Sequence, residues 1–106
     1  LNKNLHVFKV NNLKYSNSWG NRNWFGNLIE PSVEIVIFSK SNVDIELLIE
    51  GDNGESIKDI YTLENGLNFI NHNLFINDKN KYLPKGKYKL KVTNLDESSF
   101  AKFEIN

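Results

Sequence analysis

VEIVIFSKSNVDIELLIEGDNGESIKDIYTL, residues 33–63, decides the fold class. Its first run, Val33 to Lys40, is dense in β-branched side chains, which are stiff in a helix and pack well on a pleated surface. In its second run, Val43 to Glu50, Val43, Ile45 and Leu47 share one face while Asp44 and Glu46 share the other. That period of two marks a half-buried strand. Only Ser41 and Asn42 separate the two runs. Asn53-Gly54 then signals a hairpin, because the central positions of a type I′ turn need positive φ, and Ser56 to Leu63 is the returning strand.

The same alternation extends in both directions. Leu5 to Val10 (LHVFKV) is a first strand. Glu64-Asn65-Gly66 marks a turn into LNFINHNLFI, Leu67 to Ile76, with Leu67 and Phe69 on one face. Lys87 to Asn94 and Ser99 to Asn106 form a last hairpin across Leu95-Asp96-Glu97-Ser98. In L-P-K-G-K-Y, Pro84 fixes φ, Gly86 permits a tight turn, and Tyr88 points inward in the manner of a tyrosine corner. No window repeats apolar residues at helical spacing. The expected fold is all-β: an antiparallel immunoglobulin-like or fibronectin III-like β-sandwich of about seven strands, one domain over residues 1–106. Its core would include Val33, Ile35, Ile37, Ile45, Leu47, Tyr88, Leu90 and Val92.

A hydrophobic content of 40% over 106 residues is enough for such a core, and 13 basic residues balance 13 acidic ones. The balance argues against a nucleic-acid partner or an anionic membrane surface. Lys87, Lys89 and Lys91 alternate with Tyr88, Leu90 and Val92, which makes them the solvated face of a strand. The absence of cysteine excludes disulfides, thiolate metal sites and a cysteine nucleophile. No stretch approaches the roughly 20 apolar residues of a membrane-spanning helix. The 18 Asn residues follow no repeat and fit an AT-rich coding sequence. With no initiator Met or signal peptide before Leu1, the chain is expected to be a piece of a longer protein.

Catalytic chemistry finds few candidates. His6 lies in a strand on its solvent side, and His72 lies between Asn71 and Asn73. Neither belongs to a G-x-S-x-G or H-E-x-x-H pattern, so both are expected to be structural and unpartnered. Asp52-Asn53-Gly54-Glu55 and Asn77-Asp78-Lys79-Asn80 cluster the oxygen ligands that calcium prefers, without the spacing of a calcium loop. Turns use the same residues for their own backbone hydrogen bonds. The expectation is no catalytic residue, no cofactor and no metal ligand.

SWGNRNWFGNLIEP, residues 18–31, has neither period and reads as a loop, yet it carries Trp19, Trp24 and Phe25. Such rings either plug a core or present a surface. Trp24 and Phe25 are adjacent, so in an extended chain they point opposite ways and one is buried; Trp19 is the better candidate for exposure. The loop is expected to be mainly a plug, with Arg22 across a ring face. Trp19, Arg22, Trp24 and Phe25 are also the candidate ligand or interdomain surface.

Several motifs then occur in a recognisable order. Arg22, Trp24, Phe25 and Gly26 match an R-x-[FYW]-[FY]-G segment ahead of a strand. An ELLI strand follows, then Gly66, Leu67, Asn68 and Leu74 of a G-L-N strand, with His72 in place of a Trp. Leu83, Pro84, Gly86, Tyr88, Leu90 and Val92 match L-P-x-G-x-Y-x-[LV]-x-V. Over Arg22 to Val92 the chain resembles the C-terminal β-sandwich domain of bacterial secreted sortilin-like, Asp-box β-propeller proteins. The resemblance implies a secreted or cell-surface, non-catalytic accessory domain that packs on, or spaces, a neighbouring domain. Two alternatives keep the sandwich: a carbohydrate-binding module that stacks sugars on exposed aromatics, and a secretion or sorting domain. A sorting domain would end in a short basic strand, whereas this chain ends Phe103-Glu104-Ile105-Asn106.

Overall fold

A computed structural model of the chain describes residues 4–8, 10–95 and 97–106. The start at Leu1, the Lys9 position of the first expected strand and Asp96 of the last expected turn lie outside the described residues. Nine strands form: β1 (Leu5–Val7), β2 (Val33–Ser39), β3 (Val43–Gly51), β4 (Ser56–Leu63), β5 (Gly66–His72), β6 (Phe75–Ile76), β7 (Lys81–Tyr82), β8 (Gly86–Asn94) and β9 (Glu97–Ile105). The described residues contain no helix. Two antiparallel sheets, ordered β1-β2-β5 and β4-β3-β8-β9, face one another in a fibronectin III-like sandwich, and β6-β7 forms a separate two-stranded ribbon.

The expected count of about seven is corrected to nine. The two sheets hold seven strands, and the ribbon adds two short ones. The expected Leu67–Ile76 strand breaks because Leu74 takes a left-handed φ of 57°, which separates β5 from β6. The first strand is also shorter than expected. After β1 the chain leaves its sheet, buries Val10, and runs parallel to the end of β9 through a Leu13–Ile105 bridge. Ser41-Asn42 acts as an arch rather than a hairpin, since β2 and β3 belong to opposite sheets.

Every expected core residue is buried. Val33, Ile35 and Ile37 of one sheet meet Ile45, Leu47, Ile49, Leu90, Val92 and Phe103 of the other within one cluster. The 51–55 hairpin forms, but not as type I′. Gly51 N–H donates to the Glu55 carbonyl (2.9 Å), and within the turn only Gly54 has positive φ, at 86°. This is a three-residue connection with glycine in the left-handed position. Asn53 is thereby released for other work: its amide donates to the Tyr88 hydroxyl (3.0 Å), and that hydroxyl donates to the Pro84 carbonyl (2.5 Å). The tyrosine corner is therefore present, and burial pushes the Tyr88 hydroxyl up in pKa, which keeps it a donor. Gly51 is required by close approach, since a Cβ there would lie 2.6 Å from the Tyr88 ring.

Side chains close one lateral edge of the sandwich. Glu97 accepts from Leu5 N–H (2.9 Å), and the Ser99 hydroxyl accepts from Val7 N–H (3.0 Å), so β1 is stitched to β9 across the two sheets. Tyr88→Phe is expected to destabilise the domain by about 1–3 kcal/mol, because the Pro84 carbonyl and Asn53 amide lose their partner. Urea unfolding would show a lower midpoint with an unchanged slope; a loss under about 0.5 kcal/mol would remove the corner from the list of stabilising features.

Candidate functional site

The loop after the first strand builds a small hairpin on one pole of the sandwich. Gly20 N–H donates to Ile29 O (2.7 Å), Ile29 N–H to Asn21 O (2.8 Å), and Arg22 bridges Leu28. At the tip Asn23 organises the turn: its side-chain oxygen accepts from Phe25 N–H (2.9 Å) and Asn27 N–H (3.0 Å). Gly26, at φ 81°, completes the reversal. Arg22 lies on no ring face. Its guanidinium donates to the Gly26 carbonyl (2.8 Å), which corrects the expected cation–π contact.

The expected plug is also corrected. Trp24 and Phe25 are 94% and 83% exposed, while Trp19 is half-buried against the core. The assignment of burial is the reverse of the expected one, because residues 23–26 form a turn and not an extended chain. Both tip side chains project outward, whereas Trp19 sits at the root of the hairpin. There it meets Tyr15 (ring centroids 5.1 Å apart) and Tyr82 (6.3 Å), and Tyr82 meets Phe75 (5.0 Å). These four rings line a cleft of about 520 Å³. On its rim the Tyr82 hydroxyl donates to Glu30 (3.2 Å), and Lys85 lies 5.7 Å over the Tyr15 ring. Burial, followed by the Glu30 acceptor, raises the Tyr82 pKa. The sequence reading missed Tyr15, Phe75 and Tyr82, which converge from segments about sixty residues apart in the chain.

His72 is not unpartnered. It is buried, accepts the Leu74 N–H at Nδ1 (2.8 Å), and meets Asp59 through Nε2 (2.5 Å). Since Nδ1 accepts, the ring proton of neutral His72 sits on Nε2 and donates to the carboxylate. Nε2 thus ties β5 to β4 and Nδ1 holds the turn after β5, and neither is turned to a hydroxyl nucleophile. The two Asp/Asn-rich turns do come together, but lysine occupies their centre: Lys79 and Lys81 each reach a Glu55 oxygen. Among the described residues no group of three or more His, Asp or Glu could hold a metal ion.

Outside the pole, the outer face of β1-β2-β5 is apolar. Val36 pairs with Phe69, Phe38 pairs with Leu67, and Phe8 flanks them; Leu67 and Phe69 are exposed. On the opposite sheet Lys87, Lys89 and Lys91 do form a solvent-side stripe, with Lys89 4.3 Å over the Phe100 ring. Comparison with protein-family models, with curated proteins and with solved structures finds no match to this chain.

The Glu55 clasp gives a pH signature. Hydrogen bonds from Lys79, then Lys81, hold the Glu55 carboxyl below its usual 4.5. The stability it contributes is present above that pH and lost as pH falls through the lowered folded-state value. Lys79 is held above its usual 10.5, chiefly by Glu55, so its share is present below that pH and lost as pH rises past the raised value. Melting temperatures of the native domain and Glu55→Gln are expected to differ at neutral pH and converge in acid; parallel curves down to acid unfolding would refute the clasp.

Proposed function

We propose that this chain is a non-catalytic accessory module of a larger secreted or cell-surface protein, docking on a neighbouring domain through the Trp24-Phe25 tip. The exposure of those two rings on a hairpin built without them carries the reading. The Asn23 side chain, the Arg22–Gly26 contact and backbone bonds hold the tip, so the rings contribute nothing to its folding. Burying such a ring is worth about 1.5–3 kcal/mol, which the isolated domain forgoes and a partner pocket would recover. A preorganised aromatic anchor also binds with less entropy loss than a floppy one. Adjacent rings on a turn do not form an in-line stacking platform for a sugar chain, so a protein pocket fits the tip better. The apolar outer face of β1-β2-β5 offers additional area for packing against a neighbour. The secreted location rests on the sequence resemblance. The non-catalytic part draws support from the commitment of both His72 nitrogens.

Trp24→Ala and Phe25→Ala are expected to leave the stability of the isolated domain within about 0.5 kcal/mol of the native value. In the longer native chain the double variant should uncouple the module, seen as a separate melting transition and faster proteolysis at its boundary. A loss of about 3–5 kcal/mol in the isolated domain would instead restore the plug, and unchanged coupling in the long chain would refute the docking role.

A further inference from the structure

The cleft at the root of the hairpin is separate from the tip and has its own chemistry. Its floor is a continuous row of four rings, Tyr15, Trp19, Tyr82 and Phe75, each in edge contact with the next. Neighbouring rings are inclined at 63° to 69°, so the row curves into a trough and offers no flat shelf. The volume of about 520 Å³ lies inside the range of roughly 300–1,000 Å³ typical of small-molecule sites.

The charges around the trough are of both signs and give it no single polarity. Lys81 is paired with Glu55, Lys85 rests over the Tyr15 ring, and the Glu30 carboxylate takes the Tyr82 hydroxyl and the Asn73 amide. An ionic ligand would meet Lys85 and Glu30 together, attracted by one and repelled by the other. What the rim does offer is hydrogen-bonding capacity: the Tyr82 hydroxyl, the second Glu30 oxygen and the exposed Asn80 amide, which a left-handed φ of 53° places on the connection between β6 and β7. A ligand with apolar C–H faces and uncharged hydroxyl edges satisfies both the floor and the rim.

We infer that this trough binds a neutral pyranose oligosaccharide, with sugar rings packed on Tyr15, Trp19 and Tyr82 and their hydroxyls on Glu30 and Asn80. The curvature selects a soluble, flexible chain over a flat crystalline surface. The site does not depend on the docking role of Trp24 and Phe25.

Trp19 and Trp24 are the two tryptophans of the chain, so Trp24→Ala leaves Trp19 as the sole indole reporter inside the trough. Titration of that variant with cellohexaose, xylohexaose and mannohexaose is expected to give a saturable change in Trp19 fluorescence with at least one of them. Tyr15→Ala in the same background should weaken that binding about tenfold or more, equivalent to roughly 1.4 kcal/mol. Tyr82→Phe, which keeps the ring and should keep the melting temperature, removes the rim hydroxyl and should weaken binding severalfold. No response to any of the three hexaoses would overturn the inference. So would a response unaffected by both tyrosine variants, or binding to microcrystalline cellulose alone. A native domain that binds a hexaose only with Trp24 intact would place the sugar on the tip and refute the trough, whereas loss of docking with sugar binding retained would leave it standing.

Discussion

The Tyr88 hydroxyl is the point on which the pole of this sandwich depends. It donates to the carbonyl of Pro84 and accepts from the amide of Asn53, joining the entry to β8 with the turn between β3 and β4. A buried hydroxyl that makes both bonds has no unsatisfied polarity, and its ring adds a stacked contact with Phe103 at 5.5 Å. Glycine at position 51 is the steric condition for that arrangement. Residues 73–85 cross from one sheet to the other ahead of that entry to β8, and the ribbon β6-β7 lies along the crossing. The Glu55 clasp on Lys79 and Lys81 then holds that ribbon against the β3-β4 turn.

Polar groups inside the sandwich serve its edges. On one side Glu97 and Ser99 satisfy backbone donors of β1, and the segment around Leu13 adds a parallel bridge to β9. On the other side Asp59 points inward from edge strand β4 and is met by His72 from edge strand β5. An inward charge on an edge strand discourages pairing with another chain, and the part-exposed Asp59 carboxylate gives the buried His72 ring its hydrogen-bond partner. At the pole, loops project beyond the sheets. The tip there is held by hydrogen bonds without being buried, and the trough arises where two distant segments, residues 15–28 and 75–84, pack together. The proposed docking and sugar binding rest on these two surfaces.

The fold was written plainly in the period-two pattern of residues 33–63 and 87–105, because alternation reports which face of a strand meets the core. Ile35, Ile45 and Leu90 could be assigned to the interior from spacing alone, and Tyr88 could be assigned its corner from the Pro84 and Gly86 that precede it. The extra ribbon could not, since it arises from a left-handed Leu74 whose cost is met by the His72 side chain holding its N–H. The partnership of His72 with Asp59 was equally hidden. Thirteen residues apart, they meet only because β4 and β5 close opposite sheets.

The loop of residues 18–31 marks the boundary between the two kinds of knowledge. Its composition alone determined that three large rings stand outside any strand and that Asn and Gly would turn the chain sharply around them. Which ring is buried was decided by tertiary structure: Trp19 packs against Tyr15, four residues before it, and against Tyr82, which arrives from β7, while Trp24 and Phe25 find nothing opposite them. Sequence carries local periodicity and turn chemistry, because those act between neighbours along the chain. Burial at a loop depends on what other segments bring to the same place, and only the assembled sandwich determines that.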